Sequence, residues 1–177
     1  MFDAIQSATG HPLLDAVMII VALLLILVIP LTLIALWLGG WKHPAFVVFA
    51  TSFTAILIAQ VLGLGYYHDP PHLQGYETLL ENDPENAFPS NHTAAIAGFA
   101  LGLLYMRFRF LAWLGVAAAG LIAFARIYTG LHFPIDIAGG LLAGFLALAV
   151  VVLVRPYVDR LAEGAITLES MLVEAIR

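Results

Sequence analysis

The chain has 177 residues; 62% are hydrophobic, only 11% are charged, and the mean hydropathy is +0.98. Soluble domains carry about 25% charged residues, so lipid rather than water is the solvent for most of this chain. A formal net charge of −5 offers nothing to nucleic acid, and with no cysteine there is neither disulfide nor thiol chemistry.

A transmembrane helix takes about 20 mostly apolar residues, and five stretches meet or approach that length. The first runs from about Leu13 to Leu38 and contains Pro30; the second runs from about Pro44 to Leu64. The third follows Ser90 and ends near Met106, short enough to need help from its neighbours or a locally thin bilayer. The fourth runs from about Phe110 to Tyr128 and the fifth from about Pro134 to Val154. The first twelve residues contain no Lys or Arg, so no cleaved signal peptide is expected. The expected fold class is all-α: a polytopic membrane helix bundle of about five transmembrane helices over residues 1–154, then a tail over residues 155–177. In that tail Val158, Leu161, Ala162, Ala165 and Ile166 recur at helical spacing, with Asp159, Glu163 and Glu169 largely on another side. That is the pattern of an amphipathic helix, suited to the membrane surface, a neighbouring subunit or solvent. Gly98-x-x-x-Gly102 and Gly140-x-x-x-Gly144 put small residues one turn apart, which lets helices approach closely in lipid. Packing inside the subunit is the expected use, and a homo-oligomer is left open.

The seven basic residues give an expected topology. Lys42 falls between spans one and two, Arg107 and Arg109 between three and four, and Arg155, Arg160 and Arg177 after span five. An odd number of spans puts these six on one side, which the positive-inside rule makes cytoplasmic. The N-terminus, the loop from Tyr66 to Pro89 and the turn after span four then face outward from the plasma membrane, and the C-terminus is cytoplasmic. Arg126 is left near the outer end of span four, where a lone cation needs a partner. An anionic ligand is the natural candidate.

Two segments at the outer ends of spans carry chemistry. One is Phe88-Pro89-Ser90-Asn91-His92-Thr93; the other is Arg126-Ile127-Tyr128-Thr129-Gly130-Leu131-His132-Phe133-Pro134-Ile135-Asp136. Pro134 suits the first turn of a helix, which places His132 at its start and Asp136 one turn on, on the same face. A carboxylate that accepts from one imidazole nitrogen frees the other as nucleophile or base. Gly130 can supply a positive-φ turn after span four, and Arg126 offers a planar fork for phosphate oxygens. Ser90 reads as an N-cap whose first-turn N–H groups form an anion site, and His92 in that turn can protonate a leaving oxygen. Together these pieces suit phosphoryl transfer. Duller uses stay open for each: a solvated or capping His, a plain N-cap, or a metal-ligand pair His132–Asp136 with a third ligand from His68, Asp69 or His72.

At these residues, over roughly Leu64 to Gly144, the chain resembles the type 2 phosphatidic acid phosphatase family of membrane phosphatases. Pro89-Ser90-Asn91-His92 is similar to the family's Pro-Ser-Gly-His. Ala125-Arg126, five residues, His132, three residues, Asp136 is similar to its third motif, which has Ser in place of Ala125. The loop arrangement is most similar to the polyprenyl (undecaprenyl and dolichyl) diphosphatase branch. The resemblance implies a phosphohistidine at His132, orientation of that ring by Asp136, protonation of the leaving group by His92, and phosphate held by Arg126, Ser90 and N–H groups about Asn91. It implies no metal and no other cofactor, with a lipid phosphate or diphosphate as substrate and membrane lipids as surroundings. Where the family's first motif has Lys, six residues and Arg-Pro, this chain has Gly63 and Pro70-Pro71, in the run His68-Asp69-Pro70-Pro71-His72. A protonated His68 or His72 is the expected phosphate-binding stand-in for the lost cation. The leading expectation is hydrolysis of a polyprenyl diphosphate or related lipid phosphate on the outer face. With Pro70 at the Arg position, the alternative is a non-catalytic lipid-phosphate binding or assembly protein on the same scaffold, and a lipid phosphotransferase is a third.

Overall fold

In the computed structural model, which describes residues 2–80 and 86–176, every regular element is helical. A short α1 (Phe2–Gln6) precedes α2 (Pro12–Leu24) and α3 (Val28–Leu38). A 3-10 turn at Leu25–Leu27 joins α2 and α3 into one apolar rod of 27 residues. The interruption has a local cause: Pro30 has no N–H to give to the carbonyl of Ile26, one turn back. Leu13, Ile20, Leu31 and Ile34 are largely exposed along this rod, and lipid is the solvent that suits such side chains.

The bundle proper is α4 (Lys42–Gly65), α5 (Asn91–Tyr105), α6 (Arg109–Tyr128) and α7 (Pro134–Leu153), followed by α8 (Arg155–Ile176). The ends of the spans fall within two residues of those expected from the sequence. Among the described residues four helices are long and apolar enough to cross a membrane: the α2–α3 rod, α4, α6 and α7. The 15-residue α5 is shorter, as its sequence suggested, and it is the hub of the bundle. It packs on α4, α6 and α7, so nearly all of Thr93 to Leu103 is buried. Protein rather than lipid surrounds it, so the length rule for a lipid-exposed span does not bind it.

Small residues make that hub. A Cβ added at Gly98 would lie 2.8 Å from the Thr51 carbonyl oxygen on α4, and one at Gly140 would lie 2.6 Å from that of Ser90. Both Gly-x-x-x-Gly pairs therefore serve packing within the subunit, and the second sets α7 against the first turn of α5. The tail forms the helix its pattern suggested, and one side of α8 docks on the chain's own α4. Its acidic side finds basic partners there, Lys42 with Glu169 and His43 with Asp159 at 2.9 Å. These contacts lie at one end of the bundle; both motif segments lie at the other.

Candidate active site

The site is built where α5 begins, α6 ends and α7 begins. After Tyr128 the chain reverses within five residues. Gly130 takes φ +78° there, a conformation that disfavours any Cβ, and Thr78 of the long loop packs against its bare Cα. The N–H groups of Leu131 and His132 both donate to the Arg126 carbonyl, at 2.9 and 3.2 Å. That closes the last turn of α6 and seats His132 beside Arg126. Gln6 of α1 caps the same helix end by donating to the carbonyls of Ile127 and Tyr128, both at 3.0 Å. The Tyr128 hydroxyl donates to Asp15 at 2.6 Å. The amino-terminal segment is thus part of the scaffold of the site, a contribution that the motifs do not contain.

Asp136 is in the first turn of α7 and fully buried. A buried carboxylate needs donors, and it has them. Its Oδ2 accepts from the Phe133 N–H at 2.7 Å, which caps the helix, and its Oδ1 accepts from His68 Nδ1 at 2.7 Å. The Ser90 N–H donates to the Asp136 carbonyl at 3.0 Å. That one backbone bond ties the start of α5 to the start of α7 and brings the two motif segments together.

His132 is 4% exposed. Its Nε2 lies 3.1 Å from Arg126 Nη2. A guanidinium can only donate, so Nε2 accepts, and a neutral ring carries its proton on Nδ1. Nδ1 faces Asp136 Oδ2 at 3.7 Å, beyond hydrogen-bond length, and has no hydrogen-bond partner among the described residues. This tautomer leaves Nε2 as the basic nitrogen. Burial is the main influence holding the ring below the ordinary histidine pKa, and the Arg126 charge works in the same direction, against the pull of Asp136. The ring is therefore neutral near pH 7.

Arg126 is buried as well. Its Nη1 donates to the Ala22 carbonyl of α2 at 3.4 Å, and its Nε has no partner among the described residues. Ser90 is the expected N-cap of α5, its Oγ accepting from the Thr93 N–H at 3.5 Å and from the Thr93 hydroxyl at 3.1 Å. His92 follows in the first turn, partly buried and near enough to feel the charges of Arg126 and His132. Asn91 is exposed and lines a cavity on the α4 side of α5, with Gln60, Gly63 and Asn86. His68, expected as a phosphate-binding cation, uses its Nδ1 on Asp136, and its ring centroid lies 5.0 Å from that of Phe133. Pro70 and Pro71 are buried.

Asn86 went unnoticed in the sequence, yet it organises this loop. Its Oδ1 accepts from the N–H groups of His68 and Phe88, and its Nδ2 donates to the carbonyls of Gly63 and Tyr66, all within 2.9–3.0 Å. A Cβ at Gly63 would stand 3.0 Å from the Phe88 carbonyl, so the position where the family has Lys is tightly packed here. Among the described residues no three His, Asp or Glu side chains are arranged to hold a metal ion.

The profile of the PAP2 superfamily matches residues 16–160. The undecaprenyl-diphosphatase BcrC of Bacillus subtilis is 30% identical over 168 residues, covering 90% of this chain and 86% of its own. The putative undecaprenyl-diphosphatase YbjG of Escherichia coli is 32% identical over 152 residues, covering 82% and 76%. The crystal structure of Aquifex aeolicus LpxE aligns with a TM-score of 0.71 at 26% identity, over 85% of this chain and 92% of that one. The match runs from α2 into α8 with both motif segments inside it, and the chain accordingly belongs to the PAP2 superfamily, as a multi-pass membrane phosphatase of its polyprenyl-diphosphatase branch.

Proposed function

We propose that the chain hydrolyses a polyprenyl diphosphate, or a closely related lipid phosphate, at the outer face of the plasma membrane through a phosphohistidine at His132. The observation that carries this reading is the 3.1 Å contact between Arg126 Nη2 and His132 Nε2. It aims a buried donor fork and a buried neutral nucleophile at one point. A terminal phosphate whose oxygen takes the guanidinium N–H brings its phosphorus to Nε2. Nε2 then forms the P–N bond as the P–O bond to the lipid phosphate breaks. Asp136 balances the charge that appears on the ring through the Nδ1–H. His92 gives its proton to the leaving oxygen, and then takes one from the water that cleaves the P–N bond to release inorganic phosphate. Ser90 and the first-turn N–H groups of α5 hold the remaining oxygens. The outward orientation rests on the basic residues Lys42, Arg107, Arg109, Arg155 and Arg160, all at or beyond the opposite end of the bundle.

The test is phosphate release in detergent, without added metal, from a polyprenyl diphosphate, phosphatidate and phosphatidylglycerophosphate. Release above a His132→Ala control is expected, greatest for the diphosphate. Lipid phosphate bound without any release would favour the non-catalytic alternative that Pro70 suggests.

The depressed pKa of His132 fixes the sign of a pH effect. The ring stays unprotonated as the medium is acidified through the ordinary histidine value, and only below it does a proton block Nε2. The acid limb of kcat/KM therefore lies below pH of about 6.5. A limb centred at or above that value would show that another group limits activity there.

His68 acts in this scheme through Asp136. Replacing it by Ala frees Oδ1 and loosens the carboxylate that orients the nucleophile, so kcat falls about tenfold or more while KM changes little. His68→Asn, which can still donate, recovers part of the loss. A rise in KM with kcat intact would instead assign His68 to the phosphate itself.

A further inference from the structure

α8 is not among the helices apolar enough to cross a membrane, and it is set across those that are. Asp159 meets His43 and Glu169 meets Lys42. The two acidic residues stand roughly 15 Å apart along α8, yet their partners are neighbours at the start of α4. A helix running beside α4 would change partners at the same pace on both helices. α8 therefore crosses the end of α4 and lies close to the plane of the membrane surface.

The helix has three sides. Val158 and Ala162 are buried against the bundle. Glu163, Thr167, Ser170 and Glu174 recur every three or four residues and share a polar side. Tyr157, Leu161, Leu168 and Leu172 share a third side, and each is more than half exposed. Two cavities fix the directions in which these sides face. One, of about 370 Å³, lies between α3, α4 and α8 and is lined by Ile34, Trp37, Phe49 and Ala165. Ile34 and Phe49 lie a turn or more inside the ends of their helices, toward the middle of the bundle. Ala165 is one turn from both Leu161 and Leu168 and two from Leu172, so the apolar side faces the middle of the bundle. The other cavity is lined by Lys42, Ser170 and Glu174, at the very start of α4. The polar side thus faces away from the bundle, toward water.

The surface beneath the apolar side already belongs to lipid. Phe49, Phe53 and Leu57 are exposed along α4, and Leu31 and Ile34 along α3. We infer that α8 is an interfacial helix, with Tyr157, Leu161, Leu168 and Leu172 seated in the leaflet at the end of the bundle away from the active site. Hydrocarbon rather than anionic headgroups is what holds it. Asp159, Glu163, Glu169 and Glu174 outnumber Arg155 and Arg160, and an acidic helix gains nothing from an anionic surface. A second copy of the chain meeting α8 from the side would need the apolar residues to point outward along the membrane, not toward the middle of the bundle.

The chain has no cysteine, so single-cysteine variants of the full chain carry a spin label at one chosen place. Leu161→Cys and Leu168→Cys probe the apolar side, Glu163→Cys and Thr167→Cys the polar side; all four side chains are exposed, so none of these changes disturbs packing. In phosphatidylcholine vesicles, labels at Leu161 and Leu168 should collide with oxygen, which concentrates in hydrocarbon, several-fold more often relative to a water-soluble nickel chelate than labels at Glu163 and Thr167. Mixing phosphatidylglycerol into the vesicles should leave that difference in place. Equal ratios at all four positions would overturn the inference and leave α8 in water. A difference that arises only with phosphatidylglycerol would overturn hydrocarbon as the partner. Spin–spin broadening confined to Leu161 and Leu168, and lost on dilution with unlabelled protein, would overturn it in favour of a second copy of the chain.

Discussion

His132→Ala should abolish phosphate release, with a loss in kcat on the order of 10⁶, the scale seen when a covalent nucleophile is removed. No neighbouring group can take over. Asp136 is committed to the Phe133 N–H and to His68 Nδ1, and Arg126 has no lone pair to offer. Binding should survive, because the variant frees Arg126 Nη2 from its contact with Nε2 and leaves the donor fork buried where it was. The variant is thus expected to retain a lipid diphosphate that it cannot cleave. The companion measurement is acid-labile, base-stable phosphate on the unaltered protein after a brief exposure to labelled substrate, absent from His132→Ala. Asp136→Asn gives a graded control: it keeps the shape but loses the charge that matches the ring, and a fall of about 10⁴ is expected by analogy with orienting carboxylates elsewhere. Turnover by His132→Ala at anything near the normal rate would end the covalent scheme.

Much of this geometry was readable from the sequence, for identifiable reasons. Apolar runs closed by Gly, Pro and polar residues marked the spans, and the basic residues put both motifs at one end of the bundle. Gly130 and Ser90 were legible because their roles are local: a left-handed turn and a helix cap depend on the residues immediately beside them. His68 was not legible. Its position in the remnant of the first motif suggested phosphate, but the side chain bonds to Asp136, 68 positions away, and irregular loops carry no periodicity from which such a pairing can be read. Asn86 is similar, a single amide whose bonds reach back as far as Gly63. The bonds that Gln6 and Asp15 make at the end of α6, one to its backbone and one to the Tyr128 hydroxyl, span more than a hundred residues. The docking of α8 depended on Lys42 and His43 lying where an acidic face could meet them. Hydrophobic periodicity identified that face without naming its partner.

Arg126→Met should separate catalysis from folding. Met has a comparable length and no charge, and replacing a buried ion by an apolar side chain of similar volume is often neutral or stabilising. Arg126 Nε is a buried donor with no partner among the described residues, a state that costs about 1–3 kcal/mol. The melting temperature in detergent should therefore hold or rise. Activity should fall about 10²- to 10³-fold, the usual loss when a donor to a charged transition state is removed. Arg126→Lys should recover little of it, because a point charge cannot donate to the Ala22 carbonyl and to a phosphate oxygen in the fixed geometry of a planar fork. One further readout distinguishes a phosphate ligand that also tunes the nucleophile from a simple anchor. The Arg126 charge helps to hold His132 below its ordinary pKa, so removing it raises that pKa, and the residual activity of Arg126→Met should lose its acid limb at a higher pH than the unaltered protein. If melting temperature and activity fall together while the acid limb stays in place, Arg126 serves the fold, and the phosphate must be held by the first turn of α5 alone.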